Sequence, residues 1–186
     1  MSFLRFTNKT LPPYAFIPGK HPHPLKNEKG HMAQEGEPEL EPLDPEHWDK
    51  NEDYLYSLDL LNTGYFWESH VWLEALWNAH KRTGPEAELF KALIKIGAAG
   101  IKARMGSESP AEGHLERAKE LIHKAFELAG NGQLLGFTKE NLLGQIDQIL
   151  EQLPDYVQDA HRERRTFPPL APCYRQITNA SKQCKF

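Results

Sequence analysis

Between residues 44 and 153, apolar side chains return every three or four positions in successive stretches, and glycine or proline closes most of them. That period puts them on one face of an α-helix, so the chain must bury helical faces against one another. Asp44-Pro45 supplies an N-cap followed by proline at the first helical position, and Asn62-Thr63-Gly64 gives a stop. A helix is therefore predicted over 45–62. A second is expected over 65–82, before Gly84-Pro85 opens a third that runs to Met105-Gly106. Within the third, Gly97-Ala98-Ala99-Gly100 removes side-chain bulk at about 1 kcal/mol per glycine, for which close approach of a neighbour is the expected compensation. Ser109-Pro110-Ala111-Glu112 reads as a capping box that starts a fourth helix at 110, ended by Gly130. Thr138 caps a fifth helix, with Phe137 and Leu142 as a staple and Leu142, Ile146, Ile149 and Leu153 as its core face. Pro154 should interrupt it, leaving a short polar helix over 155–164 before Phe167-Pro168-Pro169 imposes an extended tail.

No stretch alternates long enough to form a sheet, so the expected fold is all-α, an antiparallel bundle of about five helices. At 186 residues one core is the default. Prolines at 12, 13, 18, 22, 24, 38 and 42 make residues 1–43 an extended arm with an acidic linker; residues 44–165 are the helical domain and 166–186 a short extended tail. With 22 Lys+Arg against 26 Asp+Glu, nothing global draws the chain to nucleic acid or an anionic membrane. The basic run His161 to Arg165 reads as a solvated helix end. No apolar run reaches the roughly 18 residues of a membrane span, and the N-terminus lacks a secretory core, which predicts a cytoplasmic protein. Cys173 and Cys184 both fall in the tail and are read as free thiols. Nucleotide-binding glycine loops, a nucleophile elbow, HExxH and paired CxxC are absent.

The second helix carries the chemistry. At 100° per residue, Phe66, His70, Glu74 and Trp77 fall within about 80° of one another, beside Leu73. This reading puts a His/Glu pair on an apolar, core-facing side, where a carboxylate must be paired or coordinated. Three explanations stay open: a structural hydrogen-bonded pair, two ligands of a metal, or a metal-free acid/base pair. Trp67, Trp72 and Trp77 spread around the helix, so at least one must face something other than the core, either the arm or a ligand.

The stretch from Tyr54 through Trp77, followed by Phe90-Lys91-Ala92-Leu93-Ile94, resembles the DUF309 family over about residues 54 to 128. That family is all-helical and, as a domain of unknown function, has no established activity. Its pattern reads aromatic-E-A-H-E-x-x-E-x-x-W and then G-L-I-Q on the next helix. Glu68, His70, Glu74, Trp77, Leu93 and Ile94 match; Val71 departs where the pattern has glutamate, and Ala92 and Lys95 where it has glycine and glutamine. A proline-rich arm of HPHP and GH character accompanies the tryptophan-rich subgroup that this chain resembles.

In that arm, His21 and His23 are two apart in extended chain, so both rings project to one side, and His31 follows closely. If the arm folds over the second helix, His21, His23 and His31 can complete a metal site begun by His70 and Glu74. Such donors suit Zn²⁺, Fe²⁺ or Mn²⁺. Glu68 or Glu74 would then act as base, and Trp67 and Trp77 would contact substrate, in a metal-dependent hydrolase or related enzyme. The rival expectation is a non-enzymatic binding or scaffold module in which the His/Glu pair is structural. The partner is an unidentified small molecule or protein, with the oligomeric state open.

Overall fold

A computed structural model describes residues 5–130, 132–159 and 166–172. Its ordered elements are a 3₁₀ segment at Pro45–Lys50 and five α-helices: α1 Glu52–Asn62, α2 Phe66–Ala79, α3 Gly84–Arg104, α4 Glu108–Ala129 and α5 Lys139–Gln158. Helices adjacent in sequence pack on one another as the short connections require, and no strand occurs among the described residues. The all-α bundle expected from periodicity is the fold.

Several helix ends differ from expectation for local reasons. Asp44 caps as predicted, accepting from the Glu46 amide at 2.9 Å, but Asn51 then takes an extended conformation and caps α1 through the Tyr54 amide at 2.8 Å. A second cap thus splits the predicted 45–62 helix. Gly64, at φ +83°, ends α1 as read. Helix α2 stops at Ala79, short of 82, because Lys81 and Arg82 take positive φ. The capping box at Ser109 does not form: α4 begins at Glu108, with Ser107 at its N-cap position and Ser109 and Pro110 inside the first turn. Thr138 does cap α5, accepting from the Asn141 amide at 3.2 Å. Pro154 interrupts nothing, since α5 runs through it to Gln158. The proline sits on the exposed side while Leu153 is buried and Tyr156 meets Phe167 edge-on at 5.1 Å, so packing on either side outweighs one missing backbone bond. The short helix expected over 155–164 is therefore the end of α5 as far as 158; the rest of it, the basic run and both cysteines lie outside the described residues.

The core is drawn from all five helices and the turn before α5, and includes Leu58, Leu73, Phe90, Leu93, Leu115, Phe137 and Ile146, each fully buried. The glycines of α3 have the predicted use. A Cβ on Gly100 would lie 2.6 Å from the Phe66 ring, and one on Gly97 would lie 3.1 Å from the Phe66 carbonyl oxygen. Helix α2 thus lays its first residue into the groove that small side chains open on α3.

Residues 5–44 form neither helix nor strand. They are not simply extended, because turns at 18–20 and 24–35 fold the arm back on itself across α1 and α2. Polar side chains of the bundle hold it and the tail. Asp59, wholly buried on α1, accepts from the Phe6 and Thr7 amides at 2.5 and 2.9 Å and from the Thr7 hydroxyl at 2.7 Å. Asn62, one turn on, exchanges two hydrogen bonds with the Leu170 backbone, at 3.0 and 2.8 Å. His80 accepts from the Leu43 amide at 3.1 Å.

Candidate functional site

Helix α2 is covered on two sides. Phe66, Ser69, Leu73 and Leu76 face the bundle, with the Ser69 hydroxyl bonded to the Ser57 carbonyl of α1 at 2.9 Å. Glu68 and Val71, on a different arc, are also buried, Glu68 beneath the arm at Phe16. His70 and Glu74 lie on neither of these arcs. Their side chains are 36% and 46% exposed, 3.4 Å apart as an i, i+4 pair, so the expected core placement is corrected to the surface. Desolvation lowers the His70 pKa, with Glu74 opposing it. The core arc through Ser69, Leu73 and Leu76 is centred roughly 80° from the expected face, with Phe66 and half-buried Trp77 at its edge on the side toward His70.

The motif carboxyl that is buried is Glu68, at 1% exposure. One oxygen, Oε1, accepts from the Phe16 amide at 2.9 Å and lies 3.4 Å from Nε2 of His31, whose side chain is 6% exposed. The other, Oε2, and both ring nitrogens of His31 have no hydrogen-bond partner among the described residues. Burial pushes the Glu68 pKa up to about 7, against weaker opposing pulls that include the Phe16 amide and the Arg104 charge. Burial also lowers the His31 pKa. Near neutral pH this is a half-protonated carboxyl beside an uncharged imidazole rather than a fixed ion pair.

Both groups line a cavity of about 330 Å³ between arm and bundle. Tyr56 and Trp72 form its aromatic wall, Pro12 and Pro13 part of its apolar wall, and the exposed Glu35 and Glu37 also border it. Tyr56 and Trp72 meet edge-on at 5.1 Å, and the Tyr56 hydroxyl bonds the Thr10 carbonyl at 2.9 Å, tying wall to arm.

The remaining predicted residues are placed as follows. His21 stacks on Tyr14 at 5.2 Å, and its Nδ1 accepts from the Ile17 amide at 3.3 Å. His23 meets Trp67 edge-on at 5.3 Å, and its Nδ1 accepts from the Leu25 and Lys26 amides. Trp67 thus packs on the arm, while Trp77 is half-buried against the core with the Arg82 guanidinium 4.7 Å above it. Neither tryptophan lines the cavity; Trp72 does. The arm does fold over α2, but His21, His23, His31, His70 and Glu74 do not converge, and no three His, Cys, Asp or Glu side chains among the described residues gather in a metal-ligand cluster. His31 is brought instead to Glu68. Sequence alone does not single out Tyr56 as a wall residue, Asp59 and Asn62 as anchors or His80 as a clamp; for the α1 residues, Ser57, Asp59 and Asn62 interspersed among apolar neighbours are the available signal.

Residues 54–113, about a third of the chain, match the family model described as Domain of unknown function (DUF309), which bears out the resemblance read from the motif. The match takes in α1, α2, α3 and the start of α4, hence Tyr56, Glu68 and Trp72, and leaves out the arm with His31. No curated protein matches the chain, and neither does any solved structure. No helix among the described residues is long and apolar enough to cross a membrane.

Proposed function

We propose that this chain, matched to DUF309 over residues 54–113, binds a small molecule between arm and bundle and exchanges a proton with it through Glu68, with His31 alongside. One observation carries the reading: Glu68 Oε2 and both His31 nitrogens are buried at a 330 Å³ cavity without partners among the described residues. Leaving such groups unsatisfied costs roughly 1–3 kcal/mol each, which a ligand supplying the missing partners would recover. The volume lies at the lower end of the ~300–1,000 Å³ typical of small-molecule sites. A carboxyl titrating near 7 can give or take a proton at neutral pH, the requirement for general acid–base work.

The test is a protein-observed NMR screen of a small-molecule library against wild type and Glu68→Gln. Compounds that shift the Trp72 indole resonance should bind the variant roughly tenfold more weakly. Equal binding to both proteins, or no compound reaching Trp72, would overturn the proposal.

A divalent ion at the same place is a second reading, favoured by one distance. Nε2 of His31 and Oε1 of Glu68 are 3.4 Å apart, about the separation of two donors at ~2.1 Å from a tetrahedral Zn²⁺. Zn²⁺, Fe²⁺ or Mn²⁺ held there would polarise a bound carbonyl or activate water. Two donors fall short of the three protein ligands usual in catalytic zinc sites, so the metal-free reading is preferred. Stoichiometric metal in untagged protein, lost in His31→Ala, would reverse that preference.

A further inference from the structure

We infer that the ligand of this cavity is an organic cation, an ammonium on a small apolar body, with its charge against Glu68 and its flank on Tyr56 and Trp72. The inference rests on the small-molecule reading of the site and narrows it to a chemical class. Three independent features favour that class.

The first is the sense of the unsatisfied chemistry. Glu68 Oε2 is an acceptor without a donor, and Glu35 and Glu37 border the same cavity, whereas no Lys or Arg does among the described residues. A carboxylate or phosphate ligand would meet three acidic side chains in the lining with no Lys or Arg beside it there, the nearest ammonium, Lys9, being paired with Asp53 outside the cavity. An ammonium supplies N–H donors to the oxygen that lacks one.

The second is the aromatic wall. Indole and phenol faces attract cations within about 6 Å of the ring centroid. The chain already uses these two rings that way: Lys9 Nζ lies 4.9 Å from the Trp72 centroid and 5.3 Å from that of Tyr56, and is bonded to Asp53 at 2.7 Å. Lys9 does not itself line the cavity, so the rings meet one ammonium of the chain and border a separate space.

The third is the remaining lining. Pro12, Pro13, Met32 and Pro38 offer methylene and thioether surface with no side-chain donor, suited to an alkyl or small ring body. A bare metal ion would find no use for that surface or for the rings. An ammonium bearing several carbons uses all of it.

The experiment is a two-dimensional NMR titration of the full chain at about pH 8 with pentylammonium, its uncharged isostere pentanol and its anionic isostere pentanoate. The Trp72 indole and His31 ring resonances report occupancy. Pentylammonium is expected to shift both and to bind roughly tenfold more tightly than pentanol, with pentanoate weakest. Glu68→Gln should remove most of that preference. The exposed pair Glu35→Gln/Glu37→Gln, whose folding is not at risk, should reduce it by a smaller factor and make it less salt-sensitive. If pentanol binds at the site as tightly as pentylammonium, the cation inference falls and the small-molecule reading survives. If none of the three probes shifts Trp72 or His31, the cation inference falls, and the library screen decides the pocket reading separately.

Discussion

Glu68→Gln keeps an acceptor for the Phe16 amide and removes only the charge, so it isolates what ionisation does at this position. The Glu68 pKa is raised on folding, from 4.5 to about 7, so the folded state holds the proton more tightly than the unfolded one. Stability contributed by the protonated form is therefore full below about pH 4.5 and is lost as pH rises through about 7. His31, with a lowered pKa, acts in the opposite sense at lower pH, favouring the folded state as it deprotonates. The difference between wild type and variant largely removes the His31 contribution. Urea denaturation should give nearly equal stabilities at about pH 4.5 and a variant more stable by roughly 2–3 kcal/mol at about pH 8. A constant difference across that range would mean that the carboxyl is not desolvated as described. At this same scale, the residues that read most clearly as chemistry were His70 and Glu74, and they are a half-exposed surface pair. Glu68, two residues before His70, lies about 160° away round the helix on another arc, and residue spacing alone does not say which arc the arm will cover.

Helix ends and helix contacts follow from a few named atoms. Where one side chain decided a boundary, as with Thr138 on α5 or Gly64 after α1, the sequence sufficed. Where two candidates competed it did not: Asn51 overrode a continuous helix from Pro45, and Ser107, not Ser109, occupies the cap of α4. The α2·α3 contact makes a quantitative distinction. Alanine in place of glycine in a helix interior gains about 1 kcal/mol from propensity. At Gly97 the added methyl would stand 3.1 Å from a carbonyl oxygen, a small shift, whereas at Gly100 it would stand 2.6 Å from the Phe66 ring, which is itself buried and cannot swing away. Gly97→Ala is expected to change stability by less than about 1 kcal/mol, and Gly100→Ala to lower it by roughly 1–3 kcal/mol. Thermal melts of the two variants check the ordering; equal effects would show that Phe66 does not fill that groove.

On the scale of the whole molecule, the arm and tail are parts of one fold, pinned by buried polar groups of the family-matched helices. Asp59 takes three hydrogen bonds from Phe6 and Thr7, and Asn62 takes and gives one each with Leu170. Asp59→Ala takes the acceptor from those half-buried donors and should cost roughly 1–3 kcal/mol, with faster hydrogen exchange at the Phe6 and Thr7 amides. Unchanged exchange at those amides would show that Asp59 does not anchor the arm. Because the arm supplies His31 and most of the cavity wall, its detachment should also abolish whatever binding the site has. The sequence by itself determined the helical class, the five helices and the small-residue groove on α3. Each of those follows from period, caps and side-chain size, which are local. Only the tertiary structure decided that Glu68 is the buried carboxyl, that His31 meets it and that His21 and His23 bond and stack within the arm and on Trp67 of α2. Those outcomes depend on where turns in a proline-rich segment bring it down across two helices, and no local propensity encodes that register.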